Sequence, residues 1–435
     1  MMHVVVSPDA PRMIDAQGRR FDVQLYGSAP RRGAGSIGGK LWYELGRIDA
    51  PLNPTAFDLL SLSMAVTAAD TFVSRHNAPD GWAREIRLSV SLSEPQVWQP
   101  AIPILQRALR FLSGDQWTLE ILGGGEPPPA FRPRSRTKIS LDECDSACLY
   151  SGGLDSAIGV LNLIEQGRRP ALVSHAYTGD ASRQEELLRH FGPNVVRFGA
   201  QANPRAWLGW ARDVQMRTRS FNFLAMGVLI ATAMMERRQR GNAILFVPEN
   251  ALIALNPPLT NRRIGALSTR TTHPYFLALI QQIIQQVGLN VVLDNPFAGQ
   301  TKGEMVSMCH QPQVLARIAH RTVSCGKWKR TRKQCGRCVP CLIRRASFNA
   351  AGLQDQTDYA ASGQNLGTYL DHGSEPDDLM AMALAIRRLD TIDLEAWVAK
   401  AGPLPLDEIQ KAERIDAVRR GMLEVKYFLE SSGVI

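Results

Sequence analysis

Residues 148–156 read Cys-Leu-Tyr-Ser-Gly-Gly-Leu-Asp-Ser, the end of an apolar strand that runs through a glycine pair into the opening of a helix. No other stretch constrains the fold as tightly. The first turn of a helix carries backbone N–H groups without intrahelical partners, and its dipole favours negative charge, so an anion can sit there when no side chain intervenes. Gly152 and Gly153 leave that space, Ser151 and Ser156 supply hydroxyl donors, and Asp155 is the natural holder of a Mg²⁺ that accompanies phosphates. Residues 157–164 continue as an apolar helical run closed by Gly167, and residues 170–177 read as a buried strand. The unit is therefore strand, pyrophosphate loop, helix, strand. An ordinary left-handed turn with a helix cap would use the same residues.

A chain of 435 residues can bury a full core and hold more than one domain. Its formal charge of +9 favours an anionic partner, nucleotide or nucleic acid, without choosing between them. The opening Met-Met-His-Val-Val-Val has no basic stretch followed by a long apolar one, and no run reaches membrane-spanning length. The expectation is a cytoplasmic protein with no membrane partner. Seven cysteines do not make a disulfide scaffold in a chain of this size, and the crowding of four of them between 325 and 341 points to metal.

Residues 1–124 read as an N-terminal α+β accessory domain, with strands at 3–6, 21–25, 85–92 and 117–122 and helices at 56–69 and 102–111. Nothing in it looks catalytic. Gly-Gly-Gly-Glu-Pro-Pro-Pro at 123–129 breaks both periodicities, and residues 125–138 read as a linker with Arg132, Arg134, Arg136 and Lys138, either solvated or touching a phosphate backbone. From 139 to 350 strands and helices alternate, with helices expected at 184–191, 222–239 and 275–287 and strands at 194–198, 243–247 and 290–293. That pattern gives an α/β layer with a mostly parallel sheet, whose ligands enter at the carboxyl ends of the strands. Residues 351–435 read as a helical extension, with helices near 379–389, 394–400 and 406–429, serving as a partner-docking lid or a packing cap.

The candidate site residues lie at the strand ends and in the loops beyond them. His175 and Tyr177 lie at the end of the second strand of the α/β layer and fall on the adenine side of a nucleotide pocket. Arg219 opens a helix, and Glu249 with Asn250 puts an acid and an amide at a sheet mouth. Arg263, Arg270 and His273 belong to a donor-rich loop at 261–274 that is suited to an anionic or purine-like substrate, although a plain surface loop has the same composition. Lys302, opening a helical turn, can neutralise a β- or γ-phosphate as a point charge. Asp155, Lys302 and Arg219 are thus the candidate catalytic residues for chemistry at the phosphates of ATP.

Cys325, Cys335, Cys338 and Cys341 are separated by nine, two and two residues. Paired cysteines two residues apart form a tight knuckle, and four thiolates suit a tetrahedral Zn²⁺ in a closed, structural site. An iron–sulfur cluster is the competing occupant. Lys327, Lys329, Arg330, Arg332, Lys333, Arg337, Arg344 and Arg345 lie between or beside these ligands with no acidic residue in the interval, so the hairpin could also contact RNA, a protein tail or phosphates.

Together, Ser151-Gly152-Gly153-Leu154-Asp155-Ser156, Thr301-Lys302-Gly303-Glu304, Ser324-Cys325 and the Cys335 to Cys341 knuckle with Arg344 and Phe348 resemble 7-cyano-7-deazaguanine synthase, a family of pyrophosphate-loop ATPases. The resemblance covers roughly residues 145–350. It implies an adenine nucleotide alpha hydrolase-like parallel-sheet domain with a zinc-binding hairpin, and ATP, Mg²⁺ and Zn²⁺ as cofactors. It also implies adenylation of 7-carboxy-7-deazaguanine, release of pyrophosphate, and displacement of AMP by ammonia on the way to a nitrile. The chain departs from the compact pattern by its N-terminal segment, its arginine-rich loop at 261–274 and its helical extension. That layout resembles the larger synthase-like subunits of bacterial anti-phage systems, especially the Qat defence system, and of defence operons whose enzymes are understood to join the deazaguanine carboxylate to a partner protein. A transfer-RNA-modifying enzyme with the same loop and a noncatalytic ATP-binding scaffold of a defence complex remain the other readings.

Overall fold

In a computed structural model of the chain, two five-stranded sheets lie on either side of a shared helical layer. It describes residues 1–9, 19–31, 33–132, 138–175, 179–193, 195–210, 212–213, 217–238, 241–267, 269–328, 332–361, 366 and 378–435. The first sheet runs in the spatial order Ala34–Gly38, Arg20–Gly27, Met2–Ser7, Glu85–Ser91, Gln116–Leu122. The second runs Val196–Ala200, Pro170–His175, Ser146–Leu149, Ala243–Phe246, Val291–Asp294.

Every pairing in both sheets is parallel. For residues 139–350 this is the expected α/β layer. The N-terminal segment carries the expected mix of helices and strands, and its sheet is parallel as well. Parallel neighbours need long crossovers: the helix Ile102–Ser113 makes the one between Glu85–Ser91 and Gln116–Leu122, while Pro54–Phe72 carries the chain from the edge strand Ala34–Gly38 to Glu85–Ser91. Strand Ala34–Gly38, of sequence Ala-Gly-Ser-Ile-Gly, has too little β propensity to be read from sequence.

The helix Pro54–Phe72 starts at an Asn53 cap that accepts Ala56 N–H at 3.0 Å, with proline in its first turn. From Ala56 to Phe72 it is buried on all sides, as a helix enclosed between two layers must be. It packs against the helix Arg219–Arg238, which in turn covers the second sheet, so a single apolar cluster extends from Val4 and Leu88 to Leu245 and Ile280.

Buried charges pin this junction. Asp70 accepts Thr218 N at 2.9 Å and Thr218 Oγ1 at 2.8 Å, and its other oxygen accepts from Arg84, which also donates to Asp115. Breaking such a network by truncating one partner would strand a buried charge.

The C-terminal extension folds as the helices Asp378–Arg387, Leu394–Ala399 and Glu408–Ser431. The last two are capped by Asp393 and Asp407, and Glu408–Ser431 lies against Val339–Ala350 and Ala251–Leu255 around a second apolar cluster. Because the second sheet is parallel, the segments after Leu149, His175, Phe246 and Asp294 all emerge at one end of it, and the site is built there.

Candidate functional site

Strand Ser146–Leu149 is wholly buried, and Tyr150 N–H still bonds Val173 O at 2.7 Å before the chain leaves the sheet. Gly152 then takes a φ of +82°, a left-handed conformation that a side chain would strain. Gly153 is the N-cap of the helix Leu154–Glu165. Its N–H bonds Ser151 Oγ at 3.2 Å, while Ser156 Oγ donates to Gly153 O at 3.0 Å and lies 3.2 Å from Ser151 Oγ. The two hydroxyls assigned to phosphate therefore sit side by side at the helix opening, with Ser151 exposed.

Two further contacts grip the loop. Gln184 Nε2 donates to Ser151 O at 3.1 Å, and Val323 N–H donates to Gly152 O at 3.0 Å. Neither residue carries a sequence signal for this role.

The helix after the loop runs close to the segment 247–250, because a Cβ at Gly159 would fall inside the Pro248 ring. This approach brings Asp155 to Glu249 and Asn250. Asn250 Nδ2 donates to Asp155 Oδ2 at 2.7 Å and Asn250 N–H at 3.3 Å, while Asn250 Oδ1 caps the helix Ala251–Leu255 by accepting Ile253 N–H at 3.1 Å. Asn250 Nδ2 also lies 3.1 Å from Glu249 Oε1. Asn295 fixes the Glu249 backbone from both sides, accepting its N–H at 3.2 Å and donating to its carbonyl at 2.9 Å.

Lys302 arrives from a third strand end. It is the first residue of the helix Lys302–Ser307, whose Thr301 and Glu304 form a reciprocal capping box. Only 5% exposed, it pairs through Nζ with Asp155 Oδ1.

The electrostatics of this cluster are asymmetric. Burial alone would raise the Asp155 pKa, but the Lys302 ammonium and hydrogen bonds from Glu249, Lys302 and Asn250 outweigh it and hold the carboxyl at about 2. Glu249 is pushed well above the ordinary carboxyl range by burial and then by the negative charge of Asp155. Asp155, Glu249 and Lys302 therefore meet at the mouth of the glycine loop with the two carboxyl groups shifted in opposite directions.

The signs for stability are opposite. Asp155 contributes stability above the ordinary carboxylate range, and that contribution is lost as pH falls through about 2. Glu249 holds a proton in the folded protein that the unfolded chain releases, so its contribution is present at acid pH and is lost as pH rises through the raised folded value. Glu249→Gln keeps a donor toward Asp155 and removes the second effect. Its melting temperature in metal-free buffer is expected to hold steady from mildly acidic to mildly alkaline pH while the wild type declines, and equal declines in thermal melts would contradict the pairing.

The remaining candidates are distributed differently. His175 ends the strand Pro170–His175, buried and edge-on to Phe223 with ring centres 6.0 Å apart. Tyr177 lies outside the described residues. Arg219 is exposed at the start of the helix that carries Phe223, one turn before the ring against which His175 packs.

Arg263, Arg270 and His273 have other contacts. Arg263 pairs with Asp378 at 2.7 Å. Arg270 donates to Phe111 O at 2.9 Å and stacks over that ring at 4.3 Å. His273 Nδ1 accepts Tyr275 N–H at 3.2 Å as a helix cap, and its ring packs 5.1 Å from Phe111. Burial, aided by the Arg270 charge, lowers its pKa to about 3. These three side chains join the loop to the N-terminal helix Ile102–Ser113 and to the C-terminal extension, and none of their described contacts is with the Asp155 cluster.

The sulfur atoms of Cys325, Cys335, Cys338 and Cys341 all lie within 4.8 Å of one another. Two of the separations, Cys335 to Cys341 and Cys338 to Cys325, are 3.9 Å. Four thiolates about 2.3 Å from a tetrahedral Zn²⁺ stand roughly 3.8 Å apart, so the donor set fits a single ion, and the space is too small for a multi-iron cluster. Backbone N–H groups of Lys327 and Cys335 point at Cys325 Sγ, both at 3.3 Å, and that of Cys338 at Cys335 Sγ at 3.2 Å. Such donors stabilise thiolate and orient the ligands.

The basic residues around the knuckle divide into inner and outer sets. Arg344 is completely buried and donates to Thr322 Oγ1 at 2.7 Å and to Thr357 Oγ1 at 3.1 Å. Arg345 donates to Gly336 O at 3.3 Å, and Lys333 pairs with Asp358. Lys329 and Arg330 lie outside the described residues. Through Val323 and Ser324 the cysteine hairpin is continuous with the segment that contacts Gly152.

Comparison with known proteins places a likeness in this region. Residues 272–352, which contain Lys302 and all four clustered cysteines, match the family described as "Queuosine biosynthesis protein QueC". A stretch of 73 residues is 36% identical to the 7-cyano-7-deazaguanine synthase of Thiobacillus denitrificans, covering 17% of this chain and 31% of that protein. The chain thus matches about a third of the length of this curated relative, and the family match begins after the Ser151 to Ser156 loop. Among the described residues, no helix is long and apolar enough to cross a membrane.

Proposed function

We propose that the chain is an ATP-dependent, amide-forming synthase that activates a 7-deazaguanine carboxylate as its acyl-adenylate. The observation that carries this reading is the Asp155–Lys302 pair at the opening of a glycine loop, with Lys302 inside the segment similar to deazaguanine synthases. A carboxylate is a poor acyl donor because oxide would have to leave. A carboxylate oxygen attacks the α-phosphorus of ATP, the bond to the β-phosphate breaks, and pyrophosphate departs. An amine then attacks the acyl carbon, the C–O bond to AMP breaks, and the amine loses a proton.

The chain's own residues contribute positioning and charge. The N–H groups after Gly152 and the hydroxyls of Ser151 and Ser156 receive the phosphates. Lys302 neutralises the charge that develops on pyrophosphate, and Arg219 adds a second cation from the exposed end of its helix. A bound Mg²⁺, for which Asp155 is the carboxylate donor, would further neutralise the phosphates. His175 and Tyr177 border the adenine. Glu249 and Asn250 face the carboxylate or the deazapurine. The cysteine cluster, as a zinc staple, supports the loop through Val323.

The amine acceptor is proposed to be a partner protein in anti-phage defence, in the cytoplasm, a reading supported by the N-terminal sheet and C-terminal helices lying outside the matched segment. Ammonia as acceptor, leading to 7-cyano-7-deazaguanine, is favoured instead by the named relative.

Incubation with ATP, Mg²⁺ and 7-carboxy-7-deazaguanine, with ammonia or with proteins encoded beside this chain, is expected to yield AMP, pyrophosphate and a new amide by mass spectrometry. ATP binding without pyrophosphate release under all these conditions would leave only the scaffold reading. AMP formation that requires RNA would transfer the assignment to transfer-RNA modification.

A further inference from the structure

We infer that Glu424, on the last helix of the chain, is a positioning residue for Lys302. The helix Glu408–Ser431 buries Ala417, Val418, Gly421, Met422, Val425, Phe428 and Leu429 along one stripe, the three-to-four-residue spacing of a helix docked on its neighbours. Glu424 stands at the edge of that stripe and reaches the residues on both sides of Lys302, the Gly303 backbone and the Thr301 hydroxyl. Its Oε2 accepts Gly303 N–H at 3.1 Å, and its Oε1 accepts from Thr301 Oγ1. One turn earlier, Arg420 donates to Glu304 Oε1 at 2.7 Å and to Gly299 O at 3.0 Å.

The two segments could not approach so closely with side chains at the crossing. A Cβ at Gly303 would overlap the Glu424 carboxylate, and one at Gly299 would overlap Glu413. The helix thus holds residues 299–304 at both ends, with Lys302 in the middle and turned toward Asp155.

Glu424 touches no member of the Asp155 cluster itself. It acts by fixing the backbone from which the ammonium projects, and the side chains that do this lie outside the segment 272–352 that is similar to deazaguanine synthases. The extension is therefore part of how this chain aims its lysine.

The inference deepens the adenylation reading and rests on it for its kinetic consequence, so the test has two independent arms. In the first, Glu424→Ala is expected to lower the kcat of ATP-dependent pyrophosphate release about tenfold, the size of a lost hydrogen bond to a charged group, with KM for ATP nearly unchanged. Glu424→Gln keeps an acceptor for Gly303 N–H and a donor toward Thr301 Oγ1, and is expected to restore most of that rate.

The second arm needs no activity. Acetylation of lysines in the nucleotide-free protein, followed by peptide mass spectrometry, is expected to modify Lys302 about tenfold faster in Glu424→Ala and at close to the wild-type rate in Glu424→Gln, with exposed Lys138 labelled equally in all three. Lys302 labelling in Glu424→Ala at the wild-type rate would overturn the inference. A wild-type protein that releases no pyrophosphate would remove the adenylation reading and leave the labelling comparison to decide.

Discussion

Replacing Asp155 by alanine is expected to lower ATP-dependent pyrophosphate release by roughly 100- to 1,000-fold, the cost of removing one pre-aligned electrostatic group from a water-poor site. Two roles are lost together. In the proposed reaction Asp155 would be the carboxylate donor to a Mg²⁺ riding with the phosphates, and it is also the ion-pair partner that orients the buried Lys302 side chain. Truncating one member of a buried ion pair costs about 3–5 kcal/mol when the other is stranded. Here Glu249 limits that penalty. Burial and then the Asp155 charge push its carboxyl well above the ordinary range, so removing that charge eases its ionisation beside the lysine. The variant should therefore stay folded, with a smaller loss of thermal stability than a stranded charge would give. Pyrophosphate release measured alongside a thermal melt checks both halves, and unchanged release would remove Asp155 from the mechanism.

How far the site could be read from sequence follows from how local each contact is. The glycine loop and the cysteine knuckle are each contiguous, and their backbone demands are written into neighbouring residues such as Gly152 and Cys338. Asp155, Glu249, Asn250 and Lys302 were each identifiable as polar residues at strand ends. That they meet in one buried cluster depends on the register of three parallel strands and on the close passage of Gly159 past Pro248, which spacing does not encode.

The loop at 261–274 shows the opposite case. Its donors suggest a ligand, but a donor-rich loop needs acceptors of any kind, and Asp378 and Phe111 O provide them from elements far away in the chain. The parallel N-terminal sheet was hidden for a related reason, because strand periodicity reports which face is buried and not which neighbour runs alongside. Glu424 carried no signal at all. A glutamate on an amphipathic helix is ordinarily solvated, and only the fold brings it to Thr301 and Gly303.

Stripping the metal from the cysteine cluster is expected to be the most damaging change to the structure. Four thiolates converge within 4.8 Å, a geometry with no apolar substitute, and structural zinc contributes about 10–16 kcal/mol in small zinc-dependent peptides at neutral pH. That is comparable to the whole stability of a typical domain, about 5–15 kcal/mol. The loss should not stay within the hairpin. Buried Arg344 is held by Thr322 and Thr357, Ser324 N–H by Gln334, and Val323 N–H bonds Gly152 O at the floor of the phosphate loop. When the knuckle opens, the segment that contacts Gly152 loses its anchor. A chelated sample, or Cys341→Ser, is expected to lose one equivalent of zinc, to melt several degrees lower at about 2 °C for each kcal/mol forfeited, and to bind ATP more weakly at temperatures where the sheets are still folded. Metal analysis, thermal melts and nucleotide titration on the same preparation measure all three. Unchanged melting after complete metal removal would contradict a structural zinc, and lowered melting with intact ATP affinity would show that the Val323 contact does not couple the hairpin to the loop.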